Sequence, residues 1–423
     1  VTLKKNRRLV IIGCGTAALT ALKQIRKTGR NDEVLLLSME AYSPYSPMSL
    51  PYLVSERVKG PDIHIVNEEF FRQMDATLMK ETRVVGLLPS ERKILFESGE
   101  SIQYDRLLIA TGSDPIVPQI LKEAGCAGFH TMDDCLALIR RLQNRRRIGI
   151  IGAGLVGMEL AAALREKGHE VSVVAPREKI LRNYFDAEAG RIIRDLFTDA
   201  GVAVHLNWGE AVSARQSGGE THVLFGREKT LDAEIVLSCM GVSPRISFLA
   251  GTGVSIDRGV VVDRHMSTNI PDVFAAGDVA EAADFFTGET GFNPILPNAV
   301  SQGKVAGSNM AGETSEYGGW VSMNTFNFFG HLATSIGRTM AGPGDEELVR
   351  KEESGYKKMV LTGSTLVGAT FIDTRIDAGV IQYLIRMKAQ VGSHKGALLN
   401  SPRETAFWLM NDMEKQQTLA KEE

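Results

Sequence analysis

Two glycine-rich turns, each set between an apolar run and a helix-forming run, constrain this chain more than any other feature. The first reads Leu9-Val10-Ile11-Ile12-Gly13-Cys14-Gly15-Thr16-Ala17-Ala18 and the second Ile148-Gly149-Ile150-Ile151-Gly152-Ala153-Gly154-Leu155-Val156-Gly157. The apolar run before each turn reads as a buried parallel strand. The first two glycines let the backbone turn sharply and approach a pyrophosphate, and the third small residue lets helix and strand pack closely. The helix that follows presents unpaired N–H groups and a partial positive charge to the phosphates. One such turn can serve packing alone. Two of them imply two bound dinucleotides, whose natural task within one chain is to exchange a hydride. The chain therefore reads as a flavoprotein that reacts with a nicotinamide nucleotide.

The rest of the sequence organises around these turns. At 423 residues the chain exceeds what one core supports, so several domains are expected. Residues 8–13, 15–28 and 33–38 read as strand, helix and strand, and 82–88, 92–97 and 101–109 as further strands. Pro115 and Pro118 mark an extended crossing. A second strand–helix–strand unit starts near Arg147, with its helix from Leu155 to about Lys167 and its second strand from Glu170 to Val174. The stretch Leu231 to Gly241 reads as a strand returning toward the first domain, and a helix is expected from about Asn298 to Met310. Beyond 323, short alternating strands (358–361, 366–370) precede a helix at about 377–387. The expected fold is α/β, with two Rossmann-like dinucleotide-binding domains and a C-terminal α+β interface domain. The boundaries are 1–112 and 241–322 for the FAD domain, 113–240 for the inserted NAD domain, and 323–423 for the last.

Composition narrows the function. Net charge is −3 and basic tracts are short, which argues against nucleic acid as a partner. Lys4, Lys5, Arg7 and Arg8 read as a solvated arm. No apolar run approaches the roughly 20 residues that span a bilayer, and the run Leu9–Ile12 is too short for a signal peptide. A cytoplasmic location is expected. The four cysteines, Cys14, Cys126, Cys135 and Cys239, form neither a CxxC pair nor a cluster-binding series. Neither a redox disulfide of close spacing, an iron–sulfur cluster nor another metal is expected, so flavin would have to handle any single electrons.

With Tyr104–Gly112, which ends Ala110-Thr111-Gly112, and with Ala275-Ala276-Gly277-Asp278 in order behind the two turns, the chain resembles the FAD-dependent pyridine nucleotide–disulfide oxidoreductase superfamily over nearly its full length. The resemblance implies an FAD site at Gly13, Gly15, Thr16, Ala17, Val84, Ala110, Thr111, Gly112, Gly277 and Pro297. Within it, Asp278 would hold a ribityl hydroxyl and Glu40 the adenosine ribose. The segments Ser38–Tyr45 and Leu296–Gly303 resemble the branch of NADH:rubredoxin reductases, ferredoxin reductases and the flavin portion of nitrite reductases. In that branch the helix opening near Pro297 and Asn298 aims its N-terminus at the flavin.

The departures are informative. Where disulfide and peroxide reductases carry a cysteine on the flavin, Pro47-Met48-Ser49-Leu50-Pro51-Tyr52 offers Met48, which forms no thiolate, sulfenate or disulfide. The Arg and Lys of the rubredoxin-reductase branch are replaced by Pro47 and Tyr52. Tyr45, Met48 and Glu159 are the candidate flavin-face residues; beyond the flavin itself no catalytic residue is expected. Glu159 reads equally as a nicotinamide or flavin contact and as an ordinary acid near a helix start. The NAD site is expected at Gly152, Gly154, Leu155, Val156, Gly157, Glu159, Ala175, Arg177 and Gly241. Ala175 stands where an acid for the NAD ribose is expected; Arg177 and Lys179 suit a 2′-phosphate or a plain solvated loop. The resemblance implies NAD, with NADP left open.

His64, His130, His331 and His394 are scattered and suggest no acid–base pair. An iron–sulfur protein or subunit is the expected partner, in a hetero-oligomer. The sharper resemblance is to the flavin subunit of NAD-linked 2-oxoacid oxidoreductases of the phenylglyoxylate type. A stand-alone NADH:rubredoxin or ferredoxin reductase or NADH oxidase, and a NADH-responsive flavoprotein binding module, are the alternatives. Trp320, Phe326, Phe328, Phe329 and Trp408 read as core packing or as a partner face.

Overall fold

The computed structural model describes residues 6–143, 146–352 and 355–422; Lys4 and Lys5 lie outside the described residues. The chain divides into two compact units. Residues up to Pro115, His130–Asp133 and Val242–Trp320 form one; Ile116–Phe129, Asp134–Gly241 and the residues from Val321 onward form the other.

The first unit is built on a parallel five-stranded sheet in the order Val273–Ala275, Arg106–Ile109, Arg8–Ile12, Glu33–Leu37, Ala76–Met79. Its central strands are buried on both faces, as the aliphatic runs require. The stretch expected as one strand over 101–109 is two. Ser101–Gln103 closes an antiparallel sheet with Val84–Leu88 and Lys93–Phe96, and Arg106–Ile109 joins the parallel sheet. Arg7 and Arg8 are not a free arm: Arg7 pairs with Asp32 at 2.6 Å and Arg8 with Glu33 at 2.8 Å. Burial works against the Asp32 charge, yet Arg7 and Arg30 hold its carboxyl well below the usual range.

Helices Thr16–Lys27 and Leu296–Ala311 pack backbone against backbone. A Cβ on Gly303 would lie 2.4 Å from the Ala17 carbonyl oxygen, and one on Gly307 would lie 2.5 Å from that of Ala21. The crossing thus admits no side chain at either glycine.

The second unit repeats the theme. Its parallel sheet runs Ala203–His205, Glu170–Val174, Arg147–Ile151, Ile235–Ser238, Ala127–Gly128. The stretch 231–241 is again divided. Lys229–Ala233 belongs to a three-stranded antiparallel sheet, and Ile235–Ser238 is an inner strand of the parallel one rather than a return strand.

The same unit holds a five-stranded antiparallel sheet, in the order Met323–Phe328, His331–Gly337, Thr365–Ile372, Gly355–Thr362, Asp345–Glu352. Helices Ala378–Arg386, Lys395–Asn400 and Pro402–Glu422 follow it. Asp186 links helix Ala187–Asp199 to this antiparallel sheet. It caps helix Ala187–Asp199 by accepting from the Glu188 and Ala189 N–H groups, both at 2.9 Å. It also meets the Lys358 ammonium at 3.1 Å and the Tyr356 hydroxyl at 3.2 Å. Phe197 stacks on Phe328 at 5.0 Å, so Phe326 and Phe328 are core residues, whereas Trp408 is half exposed.

Alanine is a better helix former than glycine by about 1 kcal/mol, so Gly307→Ala would stabilise an isolated helix. Overpacking of about 1–3 kcal/mol should outweigh that gain at this crossing. Thermal unfolding should therefore show a lower midpoint for Gly307→Ala, with Gly318→Ala, where a Cβ meets nothing within 4 Å, unchanged. A raised midpoint for Gly307→Ala would refute the close crossing.

Candidate nucleotide-binding sites

The two glycine turns are near copies in geometry. Gly13 has φ +116° and Gly152 φ +117°, values that favour glycine. A Cβ on Gly13 would stand 2.0 Å from the Ala110 carbonyl oxygen, and one on Gly152 2.1 Å from that of Cys239. The Gly13 N–H donates to Leu37 at 2.8 Å and the Gly152 N–H to Val174 at 2.9 Å, so each turn is stapled to the second strand of its unit.

Gly15 and Gly154 then cap twelve-residue helices, Thr16–Lys27 and Leu155–Glu166, with extended backbone and no side chain accepting from the first turn. A Cβ on either capping glycine would meet nothing within 4 Å. Open space therefore fronts helix N–H groups that lack a capping side chain, the arrangement that receives an anion. At the third small position, a Cβ on Gly157 would sit 2.1 Å from the Gly152 carbonyl oxygen. Thr16 and Leu155 are half-buried, Ala17 is buried and Val156 is exposed.

Around the first turn, Ala110 is buried and Gly112 adopts φ +70°. Arg245, a residue that the sequence does not single out, clamps this segment. Its guanidinium donates to the Thr111 carbonyl at 3.1 Å and the Ser113 carbonyl at 3.2 Å, and pairs with Asp114. Its carbonyl accepts from the Thr111 hydroxyl at 2.8 Å. Asp278 accepts from the Ser113 hydroxyl at 3.2 Å. Burial raises the pKa of its carboxyl, against the opposing pull of His130 and Ser113. Gln302 is likewise not singled out by the sequence; its side-chain oxygen accepts from the Gly277 N–H at 2.8 Å and fixes the turn before Asp278. Pro297 stands in the first turn of helix Leu296–Ala311, and Val84 opens the strand Val84–Leu88.

Glu40 follows the second strand and accepts from the Tyr45 hydroxyl at 2.7 Å. That hydroxyl also accepts from the Met132 N–H at 2.9 Å. Tyr45, expected on a flavin face, is thus tied to the residue expected on the ribose. Met48 lies exposed in the short turn Pro47–Ser49.

In the second unit, burial pushes the Glu159 carboxyl up to about 7. Ala175 is buried, Arg177 is exposed, and Gly241 accepts from the Ile116 N–H at 2.9 Å. All four thiols are held protonated by burial: Cys14, Cys135 and Cys239 are raised to about 12 and Cys126 to about 11. Among the described residues no group of three or more His, Cys, Asp or Glu is placed to hold a metal ion. No described helix is long and apolar enough to cross a membrane.

The sequence family described as pyridine nucleotide-disulphide oxidoreductase matches residues 7–303, which include both turns. The chain belongs to this family. It is 31% identical over 405 residues to the NADH-dependent phenylglyoxylate dehydrogenase subunit epsilon of Aromatoleum evansii, covering 94% of this chain and 96% of that one. It is 30% identical over 321 residues to an NADH oxidase of Methanocaldococcus jannaschii, covering 73% and 71%. The fold is shared with the water-forming NADH oxidase of Lactobacillus brevis, at TM-score 0.85 and 21% identity over 98% of this chain and 100% of that one.

The raised Glu159 value has a consequence for stability. Its carboxyl is favoured in the protonated form by the folded state, so its stabilising contribution is full below about 4.5 and is lost as pH climbs toward about 7. Glu159→Gln does not titrate. Its midpoint relative to the parent should be higher at pH 8 than at pH 5, measured by calorimetric unfolding; an equal difference at both pH values would contradict the buried carboxyl.

Proposed function

We propose that this chain is an FAD-dependent NAD(H) oxidoreductase that moves electrons between nicotinamide and an iron–sulfur partner. We further propose that it acts as the flavin subunit of an NAD-linked 2-oxoacid dehydrogenase complex of the phenylglyoxylate type, reducing NAD. In this reading, residues 1–112 and 241–322 bind FAD, 113–240 bind NAD, and 323–423 form an interface domain.

The observation that carries the proposal is the pair of matched cradles, each with open space before a helix N-terminus that no side chain caps. The residues fit the groups they would hold. The Asp278 carboxylate accepts from Ser113 alone among the described residues and has capacity for a polyol hydroxyl. Glu40 has an oxygen directed to Tyr45 and would receive the adenosine ribose beside it. Arg245 and Gln302 would hold the backbone of Thr111 and Gly277 in place. FAD, when bound, links two-electron nicotinamide chemistry to one-electron traffic. Four protonated thiols and a methionine at position 48 leave no sulfur nucleophile for disulfide or peroxide chemistry, which favours an external electron acceptor or donor. Free thiols at Cys14, Cys126 and Cys239 also fit a reducing compartment such as the cytoplasm. The near-complete overlap with the epsilon subunit supports the complex over a stand-alone enzyme.

Asp278→Ala should lose most of its flavin, read as the ratio of flavin to protein absorbance after gel filtration; full occupancy would refute the role of Asp278. Met48→Ala should keep NADH-driven bleaching of the flavin, and its loss would place Met48 in the reaction. Purification from the native source should bring iron–sulfur subunits along. A lone chain that consumes oxygen rapidly with NADH would instead support the stand-alone oxidase. A chain that reduces no acceptor yet oligomerises with nucleotide would support a binding module.

A further inference from the structure

We propose that the second nucleotide site accepts the 2′-phosphorylated dinucleotide, binding NADP(H) at least as tightly as NAD(H). This rests on reading Arg147–Val174 as the nicotinamide-nucleotide unit. The chain supplies its own comparison, because its two turns are stapled in the same register. Gly13 donates to Leu37 and Gly152 to Val174, and the next residues, Ser38 and Ala175, donate to Met79 and His205, both at 2.8 Å. Three residues past the stapled carbonyl, the first unit has Glu40. The second has Arg177.

A carboxylate in this region accepts from the ribose hydroxyls and repels a 2′-phosphate; a guanidinium does the reverse. Ala175, directly after the strand, offers no acid either. The loop is well placed to meet a ribose. Its start is held through Gly152 and Val174, and its end through the Leu181 N–H, which donates to Ala153 within the glycine turn at 2.8 Å. The segment 175–181 therefore rims the phosphate cradle. The carbonyls of Ala175, Pro176 and Arg177 accept from Trp208 at 3.3 Å, Gly209 at 3.3 Å and Asn207 at 3.0 Å, which fixes the backbone before any ligand arrives.

Charge in the loop is mainly positive. Arg177, Lys179 and Arg182 face one acid, Glu178, which lies 3.9 Å from Lys179. Arg177 and Arg182 are exposed and have no acidic partner among the described residues. Two unpaired guanidinium groups on a fixed loop beside a ribose subsite suit a phosphate dianion. A ribose diol would leave them without an anion.

The test is calorimetric titration of the FAD-loaded protein with NADP+ and with NAD+. The parent should bind NADP+ at least as tightly as NAD+. Arg177→Glu, which installs the first unit's residue, should lower the ratio of NADP+ to NAD+ affinity by about tenfold or more. A thermal unfolding midpoint equal to the parent's shows that the variant still folds. A parent that binds NAD+ tenfold more tightly than NADP+, or a variant with an unchanged ratio, would overturn the inference and leave the proposed function standing. Binding of neither nucleotide would remove both.

Discussion

Two contacts between backbones, with no room for a side chain, set the rest of this molecule. Gly13 presses on the Ala110 carbonyl and Gly152 on that of Cys239, at distances that a Cβ would close to about 2 Å. Each contact ends a buried strand and turns the chain into a helix whose start is left uncapped. A sheet strand, a turn and a helix end thereby become an anion receptor without any charged side chain. On the proposed reading, a receptor made of backbone would recognise what dinucleotides share, the pyrophosphate, and leave discrimination to the loops around it.

On that reading, discrimination would come from few residues. In the first unit Glu40 and Asp278 supply carboxylates, one engaged by Tyr45 and the other by Ser113. Arg245 and Gln302 act on backbone, holding Thr111, Ser113 and Gly277. In the second unit the loop after Val174 is cationic, while Glu159 is a carboxyl whose burial brings its titration near neutrality. Family membership names a disulphide chemistry, yet desolvation raises the pKa of all four thiols here. On the proposed reading, the chain would keep the nucleotide architecture without a reactive sulfur.

Much of this was legible in the sequence, because a positive φ and a close approach write themselves as glycine and a buried strand as an aliphatic run. Strand ends were less legible. Over 101–109 and 231–241 the polar breaks at Tyr104-Asp105 and Glu234 separate strands of different sheets, and apolar residues on both sides hide the change. The contact between the Tyr45 hydroxyl and Glu40, five residues earlier, runs through a turn that no periodicity marks. Arg245 reaches its partners across more than 130 residues of chain, so nothing local announces it. The basic start resembles a free arm in sequence because its acids, Asp32 and Glu33, become neighbours only when two strands pair in parallel.

The central claim is that one chain holds two separate dinucleotides in two equivalent cradles. The most direct measurement is the nucleotide stoichiometry of the parent and of Gly152→Ala, with tightly held flavin quantified after denaturation and nicotinamide nucleotide by equilibrium titration. The account predicts one FAD and one nicotinamide nucleotide per parent chain, and a Gly152→Ala chain that keeps its FAD while losing the second site. A parent that binds only one dinucleotide in total, or a variant that retains both, would contradict it.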